Sequence, residues 1–474
     1  MSAPLEKLLR DARIDLVLGR IEKDESVLNE VIKFIDSDIR SIKFNSIHVL
    51  GELGKKSVNA VSKIASCLDD DDWSICREAA RSLGKIGDVA KEATSQLSSL
   101  LINEEESIRR EAAIALGSIG SSTYVSISSL IKALDDESDI VRTEVAKALG
   151  EIGYEAFEAI PHLMKSLKDI SWTVRTASAQ SISKIGKESS KAIPSLISAL
   201  EDPDWRVRYR VSTTLTEIGE PAVPSILEVL THKSEIVRKE AIDTLGEMGL
   251  ADPKIIEMIS GLLKDKSEKV RGKAADALRS IGKPAVFTLV ESLEKVNAKM
   301  KAILISALGG IGSDASEAIP TLVNFIEYYV QEESFSNTFG SRLKRSIIAF
   351  LKDPFATNTK IRVESARALG NIGFDSEEAI NALESALNDP RSVVRREAAL
   401  SIGKLGSIAE RAIPSLIIAL DDKNPDVRWR TSEALGKIGV KNDAIISNLN
   451  MLIHDKCDYV CESAINAIDN LTEQ

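Results

Sequence analysis

Twelve times along the chain a helical pattern closes on Gly-x-apolar-Gly or a near variant, and the closing glycines recur at nearly constant intervals. They are Gly54, Gly87, Gly120, Gly153, Gly186, Gly219, Gly249, Gly282, Gly312, Gly373, Gly406 and Gly439, mostly 33 residues apart, twice 30 and once 61. A period of this size means stacked supersecondary units, each too small to bury its own apolar face, so that neighbours complete the core. The repeat runs nearly end to end over 474 residues and replaces the two or three domains such a length usually implies. The expected fold is all-α, a superhelical α-solenoid of about 13 two-helix repeats.

Residues 189–219, SSKAIPSLISALEDPDWRVRYRVSTTLTEIG, show one unit. Pro194 suits a first helical turn, and Ile193, Leu196, Ile197 and Leu200 fall on one face of helix A. Asp202, Pro203 and Asp204 interrupt the pattern, and Asp204 is placed to cap a helix B that begins near Trp205. Val207, Val211, Leu215 and Ile218 form the buried stripe of helix B, and Gly219 supplies the left-handed residue that commonly ends a helix.

Two polar positions recur as regularly as the apolar ones. Eleven residues before the closing glycine stand Arg109, Arg142, Arg175, Arg208, Arg238, Arg271, Arg362, Arg395 and Arg428, with Lys43 and Lys301 in two other repeats. Seventeen before it stand Asp70, Asp136, Asp169, Asp202, Asp265, Asp389 and Asp422. A guanidinium donates to several acceptors at once, so these positions predict a structural ladder, each Arg bridging the Asp of its own or an adjacent repeat. An anion-binding stripe is the alternative.

This grammar resembles the HEAT family, and within it the short phycobilisome-lyase-type HEAT-like repeats, whose units read much like DPDWRVR followed by ALGKIG. The resemblance covers roughly residues 23–472 and implies the solenoid. For function it implies a range, since members of the family serve as scaffolds, chaperone-like bilin lyase subunits, hydroxylases and DNA-repair enzymes. Repeats five, six and eight depart from the pattern with Ser183, Thr216 and Arg279 in place of the first glycine.

The departures from the period set the expected organisation. Residues 1–22 read as a capping helix with Leu5, Leu8 and Leu9 facing inward, followed by repeats over 23–330 that end with helix A of the tenth. The 61-residue interval holds a helical insertion in the tenth repeat, 331–358, with Tyr328, Tyr329, Phe335 and Phe339 within or beside it as candidate interface anchors. Repeats resume over 359–442, beginning with helix B of the tenth, and 443–474 forms a C-terminal capping pair.

Helix B of such arrays normally lines a concave side, where one partner touches several repeats. Its outward positions carry Trp172 in repeat five and Trp205, Arg206, Tyr209 and Arg210 in repeat six, a combination typical of protein-binding hot spots. Trp73 and Arg77 in repeat two, and Trp429 and Arg430 in repeat twelve, echo it. These residues are alternatively read as lids over the turns.

Chemistry is sparse. The four histidines, His48, His162, His232 and His454, stand alone without the His-Glu pairs through which HEAT-type deoxyhypusine hydroxylase binds iron. Cys457, Cys461 and His454 offer no fourth metal ligand, and no catalytic motif is present, so neither metal nor cofactor nor enzymatic activity is expected. A formal charge of −11 disfavours nucleic acid. Four scattered cysteines, a charged start and no run near 18 apolar residues predict a cytoplasmic protein without membrane insertion. The leading expectation is a non-enzymatic scaffold or adaptor that holds a protein partner on its concave helix-B surface. The resemblance adds a bilin-lyase-like or assembly chaperone and, more remotely, a hydroxylase or a DNA glycosylase using Arg206, Arg208 and Arg210 on phosphates.

Overall fold

A computed structural model describes residues 3–120, 124–327 and 354–472, and among these the secondary structure is entirely helical. The chain is an α-solenoid described as two units, Met1–Thr244 and Leu245–Gln474, and within each unit helices pair in sequence and successive pairs stack.

Repeat six shows why the chain folds this way. Helix A is short, Ile193–Ala199, with Pro194 in its first turn and a stretch of 3₁₀ helix, Lys187–Ala192, leading into it. The turn hands over to Asp204, whose carboxylate accepts the Arg206 N–H at 2.9 Å and starts helix B, Trp205–Ile218. Val207, Val211 and Leu215 are fully buried, each stabilising the stack by about 1.5–3 kcal/mol relative to exposure.

Successive B helices touch through small residues. The first glycine of each Gly-x-apolar-Gly lies against an Ala or Ser of the next helix B, so closely that a Cβ on Gly117 would stand 2.8 Å from Ala148 Cα, and one on Gly51 2.5 Å from Ser82 Oγ. At three of the facing positions a buried Ser or Thr hydroxyl crosses back to a carbonyl of the preceding helix. Ser82 donates to Ile47 O at 3.0 Å, Ser181 to Ala146 O at 2.7 Å and Thr214 to Ala179 O at 3.0 Å.

Several expectations need correction. Gly219 is not left-handed helical: with φ 78° and ψ −142° it lies in the mirror-extended region that glycine alone occupies readily. Gly87, Gly153, Gly186, Gly282, Gly312 and Gly406 do the same, because the chain must reverse at once into the next repeat, whereas Gly120 and Gly439 are αL. Residues 1–22 form two helices, Leu5–Arg10 and Ile14–Ile21, since Ala12 takes φ 53° between them, although Leu5, Leu8 and Leu9 are buried as a cap requires. Helix B of repeat ten begins earlier than residue 359, at Pro354 in Pro354–Ile372; the remainder of the expected insertion, with Tyr328, Tyr329, Phe335 and Phe339, lies outside the described residues. Among the described residues one stretch, Ala298–Glu327, is long and apolar enough by composition to span a bilayer, but half of its most apolar window is buried and Gly312, at φ 77°, reverses the chain within it.

Candidate functional site

The recurring Arg and Asp positions meet along the turns between helices. Arg109, Arg142, Arg175, Arg395 and Arg428 each grip the carboxylate of the following repeat with Nε and Nη2 and turn Nη1 to carbonyls of their own turn. Arg142 donates to Asp169 at 2.8 and 2.9 Å and to Asp136 O at 2.7 Å. Arg109 with Asp136, Arg175 with Asp202, Arg395 with Asp422 and Arg428 with Asp455 repeat the fork at 2.6–3.1 Å. Arg362 and Asp389, paired at 2.8 Å, are the most deeply buried couple, and Lys43 makes a single contact with Asp70 at 2.5 Å. Arg208, with no Asp in register ahead, takes Glu240 at 3.2 Å instead. The Nη1 of Arg238 and Arg271 caps its own turn, on His232 O and on Asp265 O respectively.

The pairing sets the charges. Asp136 holds the Arg109 guanidinium above its ordinary pKa, and Arg428 holds the Asp455 carboxyl below the usual range. Burial works to raise Asp169 and Asp422, but the guanidinium and a backbone N–H on each outweigh it, and both lie low. A carboxylate and guanidinium that consume each other's hydrogen bonds leave little for an external anion.

On the outward face of helix B, repeats five and six present a different surface. Trp205 is 66% exposed, Tyr209 58% and Trp172 37%. The Arg206 guanidinium lies 3.5 Å from the Trp172 ring centroid, joining the two repeats through a cation–π contact. Arg206 is also bound to Asp204 at 2.6 Å, which lowers the Asp204 carboxyl to about 2. Arg208 points away, into the ladder, so Arg206, Arg208 and Arg210 do not share a face for phosphates. Trp73 is exposed with Arg77 4.9 Å from its ring. Trp429 is half-buried, edge-on to Tyr459 at 5.6 Å, with Arg430 stacked at 3.7 Å and tied to Glu433. Among the described residues no group of three or more His, Cys, Asp or Glu side chains converges as a metal site.

A family model for HEAT repeats matches residues 61–127, 127–196, 160–235, 193–254, 223–309 and 346–436. The chain belongs to the HEAT repeat family. Solved structures similar to this HEAT repeat protein include an engineered protein, 20% identical over 94% of this chain and 98% of its own at a TM-score of 0.33. Importin beta is 14% identical over 97% and 75% at 0.41, and Kap95p with RanGDP 12% identical over 95% and 72% at 0.43. No curated protein matches the sequence.

The sequence reading of this HEAT repeat protein passed over two groups of residues. Asp455 completes the ladder in the last pair, where no closing glycine exists to count from; a step of 33 from Asp422 finds it. Glu78 and Glu111 are buried carboxylates on the helix-B face, Glu78 accepting His48 Nδ1 at 2.7 Å and Arg81 at 3.2 Å, and Arg81 reaching on to Glu111 at 3.0 Å. Their signal is a glutamate nine residues before the closing glycine.

Proposed function

We propose that this HEAT repeat protein is a non-enzymatic scaffold or adaptor, and that it holds a protein partner on the helix-B face of repeats five and six. The observation that carries the reading is the exposure of Trp205 and Tyr209, one turn apart on a helix whose neighbouring repeat adds Trp172 and the stacked Arg206. Large aromatic side chains clustered with arginine are what protein interfaces place at their energetic centre. All four cysteines are free thiols, which supports a cytoplasmic setting. Replacing Trp205 and Tyr209 together with Ala tests the site: far-ultraviolet circular dichroism is expected to be unchanged while capture of the copurifying partner from the native cell falls at least about tenfold. Undiminished capture would refute the assignment.

The units DPDWRVR and ALGKIG support a second reading, a bilin-lyase-like or assembly chaperone of the phycobilisome-lyase type. Transfer of bilin to a phycobiliprotein by the purified chain is the measurement that supports it, and absence of transfer removes it.

A further inference from the structure

Nine residues before the closing glycine, helix B carries Glu78, Glu111, Glu144, Glu240, Glu364 and Glu397. This row faces the neighbouring B helices, and its carboxylates are used within the protein. Glu78 takes His48 and Arg81, Glu240 takes Arg208, and Glu397 takes Arg367 at 2.8 Å. The row is interrupted at Asn45, Ala177, Arg210, Lys273, Ile303 and Arg430, and in repeats five and six the interruption, Ala177 and Arg210, lies on the helix that carries the exposed aromatic rings or on its neighbour. Two changes in adjacent units remove two negative charges and add a positive one beside the exposed Trp172, Trp205 and Tyr209.

Arg210 is not committed as the ladder arginines are, a state its Nε shares with that of Arg77. Its Nε is buried yet lacks a hydrogen-bond partner among the described residues. Arg430, the other arginine in this register, is bound to Glu433 at 2.5 Å, and Arg206 to Asp204. A guanidinium with no carboxylate of its own keeps its terminal nitrogens as donors for a charge-assisted hydrogen bond to an incoming carboxylate. In a chain of formal charge −11, this is a local cationic and aromatic spot flanked by Glu144 and Glu240.

We infer that repeats five and six dock an acidic peptide segment of the partner, a carboxylate seated on Arg210 and an adjoining apolar side chain laid against Trp205 and Tyr209. The inference rests on the scaffold reading and names the chemistry of its partner. Orientation follows from the row: the partner's carboxylate supplies to repeat six the negative charge that Glu78 or Glu240 supplies elsewhere.

The test uses the full chain and short fluorescein-labelled peptides sharing a Phe-Leu centre and flanked by glutamates, serines or lysines, followed by fluorescence anisotropy. The glutamate-flanked peptide is expected to bind about tenfold or more tighter than the serine-flanked one, the worth of a charge-assisted hydrogen bond. Arg210→Gln should erase that difference with helicity unchanged, Arg210→Glu should move the preference to the lysine-flanked peptide, and Trp205→Ala should weaken the glutamate-flanked peptide. Equal affinity for the glutamate- and serine-flanked peptides, indifference to Arg210→Gln, or binding of none of them overturns the inference. Partner capture that still depends on Trp205 and Tyr209 would in that case leave the scaffold reading standing; capture indifferent to them would remove that reading as well.

Discussion

Arg142 and Asp169 join two successive repeats by a two-pronged ion pair at 2.8 and 2.9 Å, and both side chains are about nine-tenths shielded from solvent. The same arginine holds Asp136 O of its own turn at 2.7 Å, so one side chain fixes the geometry within a repeat and between repeats. Removing one member strands the other. Arg142→Ala or Asp169→Ala is expected to cost about 3–5 kcal/mol, while the paired apolar replacement Arg142→Met with Asp169→Leu should cost far less. Denaturant unfolding of the three variants checks this; equal losses for single and paired variants would show that packing and not stranded charge dominates.

Acid should act through the same residues. Arg428 depresses the Asp455 carboxyl, and Asp169 and Asp422 lie low despite burial. Because the folded pKa lies below the unfolded value of about 3.9, the stabilisation is fully present above that value and is lost as pH falls through the folded pKa. Stability is therefore expected to be level between pH 7 and pH 5 with respect to the ladder and to drop below about pH 4. Asp455→Asn, already weakened at neutral pH, should lose less on acidification than the parent. A steeper acid loss in the variant than in the parent would contradict the coupling.

The two kinds of interior glycine respond oppositely to a methyl group. Gly403→Ala would place Cβ 2.8 Å from Ala434 Cα, a backbone atom that cannot yield without separating two B helices, and overpacking of this kind costs about 1–3 kcal/mol. Gly272, inside helix Glu268–Ile281, meets nothing within 4 Å. Gly272→Ala should stabilise by roughly 0.5–1 kcal/mol through helix propensity alone. Thermal unfolding of both variants decides it, and destabilisation by both would mean that the open side of Gly272 is covered.

These glycines show what the sequence disclosed and what it withheld. Period, helix boundaries and the buried stripe were readable, because each depends on residues within one unit: Asp204 caps helix B where turn formers meet an apolar pattern, and Val207, Val211 and Leu215 are buried at helical spacing. The role of the first glycine was not, because its neighbour lies in the next repeat and is brought there by the stacking. The ladder has the same character. Recurrence at a fixed distance from the closing glycine placed Arg142 and Asp169 at the turns, but only the stack decides that the arginine reaches forward 27 residues for a carboxylate and back six for a carbonyl. The glutamate row was visible as a recurrence, yet its interruption at Ala177 and Arg210 gains meaning only beside the exposed rings of Trp172 and Trp205.

Cysteine stands at the ladder-arginine position twice, and its chemistry there can be measured. Cys76 and Cys461 each turn a thiol to a backbone carbonyl of the turn, Cys76 to Leu68 O at 3.0 Å and Cys461 to Asp455 O at 3.2 Å, much as Arg142 turns its Nη1. Burial, with help from the charges of Asp69 and Asp70, pushes the Cys76 thiol up to about 11, and burial also raises Cys67. A raised thiol pKa leaves the group protonated at all ordinary pH values, and the thiolate is the nucleophile. Cys457 and Cys461 are only partly buried, unlike Cys67 and Cys76. Titration with a thiol-specific chromogenic disulfide at pH 8 is expected to show two thiols reacting at once and two only on addition of denaturant, with alkylation mapping assigning the slow pair to Cys67 and Cys76. Four fast thiols in the native protein would mean that the first two repeats open on the timescale of the reaction, and that the turn around Leu68 is not closed as the Cys76 hydrogen bond requires.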